Sequence, residues 1–591
     1  MTRIGIGSIN RIQPYLFGIL LIISVFCCDI AVAQSDDDEG DFKDFPTGLI
    51  LDTKEDQIYE SKPRRARYDS ERFTELPLKV DLKPYCPMVG NQGEINSCVG
   101  WATGYGALTI QQAIENGWTD KRMITKNAHS ALFVYNQIKV GDCAGGSRIS
   151  DAIELLSSKG DCYARDFDRD VNNCQRNPES TIQEYAKKYK VSDYMTLFES
   201  EAEPKLKVLR VKESLAQGKP VIIGLNIRKN FARLRRGSKF WWPDLGNTTP
   251  MGGHAMVVVG YDEAEGAFEV MNSWGKDWAD DGFVRIKYKY FANNCKYAYQ
   301  LFLKPASQTK VKTFQDYVVK NDIEDVDIPV LAPEPLTEDE AVEYEAVVAD
   351  FEEQQTPSNT SEGDMVSEEV SLEEVFDADE IVEVDPFEEI VPEAIPISLS
   401  GSFEFKYLAG FNRNVPIFNT AEAYLDGMHY ELKKQDWEVG QSFQIYASNE
   451  IQDMYVYIFS IDAQNMSHIH WPRQEALNSK FAGINESALI TVSGAEIVIP
   501  NKNTALGIAN PGADHLCVLF SAERINNLPF IIENIKNSSG DMAYRLQTVL
   551  RDRLIPSSDI QYGAETIHFD SNSTSGGTIV PLVLRVVAED W

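Results

Sequence analysis

The sequence predicts an α+β domain, an acidic linker and a second domain built as a β-sandwich, and three observations predict it. Between Leu76 and Leu303, helical runs come first and strand-like runs follow, the order of an α+β rather than an alternating α/β domain. Between Lys320 and Lys406 there is no Lys or Arg, while residues 321–394 hold 27 acidic residues with scattered prolines. After residue 398, short β-rich runs alternate with turn residues.

Residues 1–33 read as a secretory leader. Arg3 and Arg11 give a positive start, "YLFGILLIISVF" is the apolar stretch, and Ala31-Val32-Ala33 is a small-residue cleavage site before Gln34. The apolar run is too short for a stable membrane span. Phe26 before Cys27, and Cys27 before Cys28, stand where a lipidation site wants a small residue, which disfavours a lipoprotein. An exported protein of bacterial envelope or extracellular type follows.

Residues 34–75 form a polar N-terminal segment, read as poorly ordered, with the arginines of residues 64–67 a solvated charged run rather than a processing site. Residues 76–311 form the first domain. Helices are expected at 98–115, 129–138, 148–158 and 205–216, and strands in "PVIIGLNI", "HAMVVVGYD", "AFEVMNSW" and "GFVRIKY". Residues 312–397 are a self-repelling, disordered acidic spacer.

In the second domain, residues 398–591, the strands are "FEFKYLAG", "SFQIYASN", "MYVYIFSID", "AEIVIPN", "DHLCVLFS" and "TIVPLVLRVVA". One helix falls near "GDMAYRLQTVLRDRL". A net charge of -34 with no basic cluster excludes a nucleic-acid partner.

The chemistry centres on Cys98 in "NQGEINSCVGWATGYGALTI". Val99, Trp101, Ala102, Tyr105, Leu108 and Ile110 follow it near a 3.6-residue period, so the cysteine stands at a helix start. There the free N–H groups and the helix dipole favour a thiolate. Such a nucleophile needs a base, a group that orients the base, and oxyanion donors. The first domain has two histidines. His129, in "KNAHSALFVYNQI", reads as structural; His254, in "MGGHAMVVVGYD", enters a strand after two glycines and faces a cleft. Asn272 lies on the next strand-like run, and Trp274 is placed to shield a His254–Asn272 hydrogen bond from water.

"NQGEINSCVGWA", "GGHAMVVVGYD" and "NSWGKDWADDGFVRI" together resemble the papain family of cysteine peptidases, over residues 76–303. The resemblance implies a two-lobed domain, helical lobe plus β lobe, that hydrolyses protein or peptide substrates by acyl transfer without a metal or organic cofactor. It implies Cys98 as nucleophile, His254 as its acid/base partner and Asn272 as the orienting group. Gln92, with the Cys98 amide, would form the oxyanion hole, and Gly145 and Gly146 in "DCAGGS" would pair with extended substrate, beside Trp274.

The sequence departs from the family in three places. Val99 replaces the usual Trp after the nucleophile, and Ile95 replaces the usual cysteine three residues before it. The pairings among Cys86, Cys143, Cys162, Cys174 and Cys295 therefore stay open, with Cys162–Cys174 the one favoured. Residues 34–72 lack a clear version of the family's long inhibitory propeptide.

The alternative is a catalytically silent scaffold of the same fold, used with the β domain for binding or assembly; a cell-wall amidase or endopeptidase is a further enzyme reading. In the second domain, His468 and His470 alternate in "NMSHIHWPR" without a third ligand and read as two exposed strand positions. Cys517 reads as buried and inert. The runs "MYVYIFSIDAQN", "HWPR", "IVIP" and "NPGADHLCVLFS" resemble a bacterial domain of unknown function, for which a docking role is the default.

Overall fold

The strand-forming runs of residues 76–303 gather into one antiparallel sheet behind a helical lobe. This computed structural model describes residues 45–66, 76–303 and 396–589, apart from 414 and 482. The leader at 1–33 and nearly all of the acidic linker lie outside the described residues. Among those described, no helix is long and apolar enough to cross a membrane.

The strands are β1 (Lys79–Asp81), β2 (Val191–Thr196), β3 (Val221–Arg228), β4 (Pro250–Asp262), β5 (Ala267–Met271), β6 (Phe283–Lys287) and β7 (Cys295–Leu303). Their order is β2-β7-β3-β4-β5-β6, with β1 on β4. The four expected strands are β3 to β6. β2 and β7 escaped sequence reading: polar and aromatic residues interrupt their alternation.

The helix that begins at Cys98 runs through Cys98–Gly100, a π-helical stretch Trp101–Leu108, and Thr109–Asn116. All eight π-helical residues are buried. Two glycines let this helix sink into the fold. A Cβ on Gly100 would lie 2.1 Å from the Ala131 carbonyl oxygen, and one on Gly106 would lie 2.7 Å from Val257 of β4. The Cys98 helix is thereby seated directly on the strand that carries His254.

The segment at 45–66 corrects the expectation of disorder. Helix α1 (Thr53–Ser61) is capped by Asp52, whose carboxylate accepts from the Glu55 amide at 2.7 Å. Tyr59 is fully buried and donates to the Phe198 carbonyl at 2.7 Å. Nor are Arg64 and Arg65 solvated; Arg67 lies outside the described residues. The Arg65 side chain is 1% exposed beside Glu213, and Ala66 is buried.

The second domain is a sandwich of two sheets, as expected. One runs Ala423–Asp426, His429–Leu432, Ile579–Glu589, Gly512–Ser521, Met454–Ile461, Ser467–Trp471. The other runs Glu496–Ile499, Ser442–Asn449, Ile397–Asn412, His568–Ser573, Ile560–Tyr562. Phe405, Ile445, Val518, Phe520, Phe569 and Leu582 fill the space between them, because strand alternation turns one face of each inward. Helices Leu528–Asn537 and Met542–Leu550 cover the outer face of the first sheet.

That outer face also packs on the first domain. Met195 and Phe302 share an apolar cluster with Tyr455, Phe459 and Leu528. Beside them, Asp193 of β2, 3% exposed, pairs with Arg524 at 3.2 Å and accepts from the Tyr455 hydroxyl at 2.8 Å. Lys219 and Asp453 add an ion pair at 3.2 Å.

The disulfide joins Cys143 to Cys174, not Cys162 to Cys174. Cys162 is buried in the helical lobe and free. Cys143, on the loop before Gly145, has the required 5.6 Å Cα separation from Cys174. Cys517 is buried. His470 is half-buried against the Ser460 hydroxyl at 2.9 Å, while His468 is exposed.

Candidate active site

The β4–β5 register explains how His254, Asn272 and Trp274 meet. Val257 stands opposite Met271. Continuing that register places His254 opposite Trp274 and diagonal to Asn272, all on one face of the sheet. His254 Nε2 lies 2.7 Å from Asn272 Oδ1. The Trp274 indole stacks on the imidazole, with ring centroids 4.6 Å apart and planes at 27°. His254 is fully buried and Asn272 is 4% exposed, so their hydrogen bond is kept from water.

Gln92 is fixed from the same side. Its amide N–H donates to the Ser273 carbonyl at 2.8 Å, and the Ser273 hydroxyl donates to Gln92 Oε1 at 2.7 Å. This orients the side-chain Nε2 toward the Ile95 carbonyl at 3.0 Å and the Thr47 carbonyl at 3.4 Å. Cys98 is buried at its helix start, facing the backbone amides of Ala255 and Leu49.

Thr47 and Leu49 belong to an element that sequence reading missed. Residues 45–50, "FPTGLI", fill the cleft as an extended strap. Phe45 stacks on Trp274 at 4.8 Å, and Trp274 Nε1 donates to the Pro46 carbonyl at 3.0 Å. Leu49 donates to the Gly253 carbonyl at 3.2 Å, Ile50 to the Ser147 carbonyl at 3.0 Å, and Ser147 to the Gly48 carbonyl at 2.8 Å. The only signal was an apolar island inside a polar segment.

The two glycines of "DCAGGS" play different parts. A Cβ on Gly146 would lie 2.4 Å from the Gly48 carbonyl oxygen, so its bare backbone makes room for the strap. Gly145 turns toward its own loop, where a Cβ would lie 1.7 Å from the Val140 carbonyl oxygen. Ser147 makes the backbone pairing instead. The Leu49 side chain enters a pocket beside Gly224, whose ideal Cβ lies 2.8 Å from Leu49, 3.1 Å from Tyr297 and 3.4 Å from Ile149.

With the strap in place, burial pushes the Cys98 thiol up to about 12, although the neighbouring amides oppose it. Burial likewise lowers His254 to about 4, against the Asn272 hydrogen bond. Burial in this state therefore opposes the charged form of both groups, against the thiolate that the helix start favours. His129, the other histidine, is structural: it is buried and bonded to Gln112 Oε1 at 2.9 Å.

Residues 76–304 match the family described as "Papain family cysteine protease", and this span is a papain-family domain. An uncharacterized peptidase C1-like protein of Acanthamoeba polyphaga mimivirus is 25% identical over 208 residues, 34% of this chain and 65% of that protein. Gamete and mating-type specific protein A of Dictyostelium discoideum is 25% identical over 211 residues, 35% of this chain and 42% of its own. The chain thus spans less than two thirds of the length of these relatives. Among solved structures, xylellain, a cysteine protease from Xylella fastidiosa, is 22% identical, with a TM-score of 0.35, covering 44% of this chain and 97% of that one.

Proposed function

We propose that this chain is an exported cysteine protease, held latent by its own residues 45–50, that hydrolyses peptide bonds through Cys98, His254 and Asn272. The observation that carries the reading is the buried His254–Asn272 hydrogen bond under Trp274, on the strand against which the Cys98 helix is seated.

Once the strap leaves, water and substrate dipoles replace the apolar cover that opposes the charged form of both groups. Cys98 then passes its proton to His254, and the thiolate attacks the scissile carbonyl. The Gln92 Nε2 and the Cys98 amide receive the oxyanion; in the filled cleft the Thr47 carbonyl already lies 3.4 Å from that Nε2. His254 next protonates the leaving amine, and water attacks the thioester to regenerate Cys98. Asn272 keeps the imidazole in the required orientation throughout. No cofactor takes part in these steps. The Leu49 pocket supports substrates with a leucine-sized aliphatic side chain.

Residues 1–33 serve as the leader for export, in keeping with the Cys143–Cys174 disulfide. The test is cleavage of a mixed peptide library by a strap-loosened full chain, Leu49→Asp, beside the same chain carrying Cys98→Ala. Cleavage that the second change abolishes supports the protease. Equal background from both, with Cys98 open to alkylation, supports the silent scaffold instead.

A further inference from the structure

The strap does not end at the cleft. Beyond α1 it continues as residues 63–66, which run as a strand shared by the two domains. On the protease side, Arg65 donates to the Thr196 carbonyl at 2.8 Å and Thr196 donates to the Pro63 carbonyl at 2.9 Å, at the open edge of β2. On the other side, Arg64 donates to the Asn485 carbonyl at 2.7 Å and Ser487 donates to the Arg64 carbonyl at 2.8 Å. The Asn485 side chain donates to the Ser61 carbonyl. Ala66 is buried in the apolar core of the C-terminal sandwich.

We propose that the C-terminal β domain is the lock on the cleft: it clamps residues 61–66 against β2 and so keeps residues 45–50 seated over Cys98. This rests on the protease reading above. The strap is held on the protease side by its backbone bonds, the Phe45–Trp274 stack, the Trp274 bond to the Pro46 carbonyl, the inserted Leu49 and the docked helix α1, and the entropy of ordering its extended residues opposes that attachment. Anchoring its far end keeps the cleft-filling part at high local concentration, so each dissociation is followed by rebinding.

The anchor has an embedded position. The Asp193–Arg524–Tyr455 cluster and the Met195–Phe302 contact seat the β domain beside the strand it clamps. A cut between the strap and the protease would therefore leave the cleft filled, because residues 45–66 stay bound to both domains. In the wild-type chain, with Leu49 seated in its pocket, opening follows release of residues 61–66 by the β domain.

The test compares four full-length chains: wild type, Asn485→Ala/Ser487→Pro, Ala66→Asp, and Leu49→Asp. The first pair removes two of the β domain's hydrogen bonds to the strap without touching the cleft. Ala66→Asp attacks the same clamp from the strap side. Leu49→Asp unseats the strap at the cleft with the clamp intact. Circular dichroism and a cooperative melt establish that each chain is folded; peptide hydrolysis and Cys98 alkylation by iodoacetamide are then measured.

Both clamp variants are expected to raise hydrolysis and alkylation about tenfold or more over wild type, as loss of two hydrogen bonds shifts an open–closed balance. A folded clamp variant as silent as wild type, beside an active Leu49→Asp, overturns the lock and leaves the protease standing. If Leu49→Asp is alkylated readily at Cys98 yet cleaves nothing, the protease reading fails and the lock is judged by alkylation alone: clamp variants alkylated no faster than wild type overturn it.

Discussion

Leu49 and Gly253 form an antiparallel bridge, with the Leu49 amide 3.2 Å from the Gly253 carbonyl oxygen, one residue before His254. The N-terminal segment therefore occupies the backbone edge next to the imidazole, the edge along which the proposed protease would take its substrate.

Leu49→Asp should convert a silent chain into an active one. Fully burying a leucine stabilises by about 1.5–3 kcal/mol, and placing a carboxylate in that apolar pocket adds a desolvation cost. The strap-open fraction, read as the rate of Cys98 alkylation, should rise by a factor of about 10 to 100. An unchanged rate would show that the strap is not what covers the thiol.

In the strap-loosened background, Asn272→Ala should lower kcat/KM about tenfold to a hundredfold while leaving most of the fold's stability in place. Cys98→Ala should remove turnover altogether. The contrast follows from the proposed roles, in which Asn272 orients the base and Cys98 forms the bond. Equal, complete losses would mean that Asn272 is needed for the fold.

Latency should loosen as pH rises. Glu55 on α1 is buried against the start of the helix Ile149–Ser158, accepting from the Ser150 amide at 3.3 Å and hydroxyl at 2.5 Å. Desolvation raises its carboxyl from 4.5 to about 7, against the Ser150 hydrogen bonds. The docked state thus binds the proton more tightly than the undocked one. Docking is strongest below about 4.5 and weakens as pH climbs through about 7. The ratio of wild-type to Glu55→Gln alkylation rates, which cancels the thiol's own ionisation, should increase across that window. A flat ratio would rule out Glu55 as the titrating contact.

Gly224→Val should alter the Leu49 pocket. Even a single added carbon falls 2.8 Å from Leu49 and 3.1 Å from Tyr297. Two effects are expected together: faster alkylation of Cys98 because the strap is displaced, and a shift of peptide preference away from leucine toward smaller side chains. A library profile identical to that of the Leu49→Asp chain would refute the pocket.

Cys174→Ser should cost about 3–4 kcal/mol, since the Cys143–Cys174 bridge closes a loop with a sequence separation of 31. Melting of oxidised protein, with peptide mapping of the bridge, tests both the pairing and its contribution.

The helix start at Cys98, the strand bearing His254, and the strand just before Asn272 were legible because their signals are local: apolar periodicity, flanking glycines and short spacings. So were the acidic run and the alternating strands of the second domain. The partner of Cys143 was not legible, because bridge choice depends on Cα separations set by the whole helical lobe. Gly145 and Gly146 look equivalent in sequence, yet only the folded loop decides which one faces the cleft.

The residues 45–66 mark the boundary most clearly. By composition they are polar and poor in apolar periodicity, and a sequence read locally assigns them to solvent. Tertiary structure alone gives Leu49 a pocket, Glu55 a helix start to cap, Tyr59 a buried carbonyl, and Arg64 a backbone partner in each domain. Cys98, His254 and Asn272 could be named as candidates from the sequence, since residue type and local spacing carry that information. Only the fold decided that those groups are covered, because the cover is made of contacts between segments up to several hundred residues apart, and such contacts leave no periodic trace in either segment.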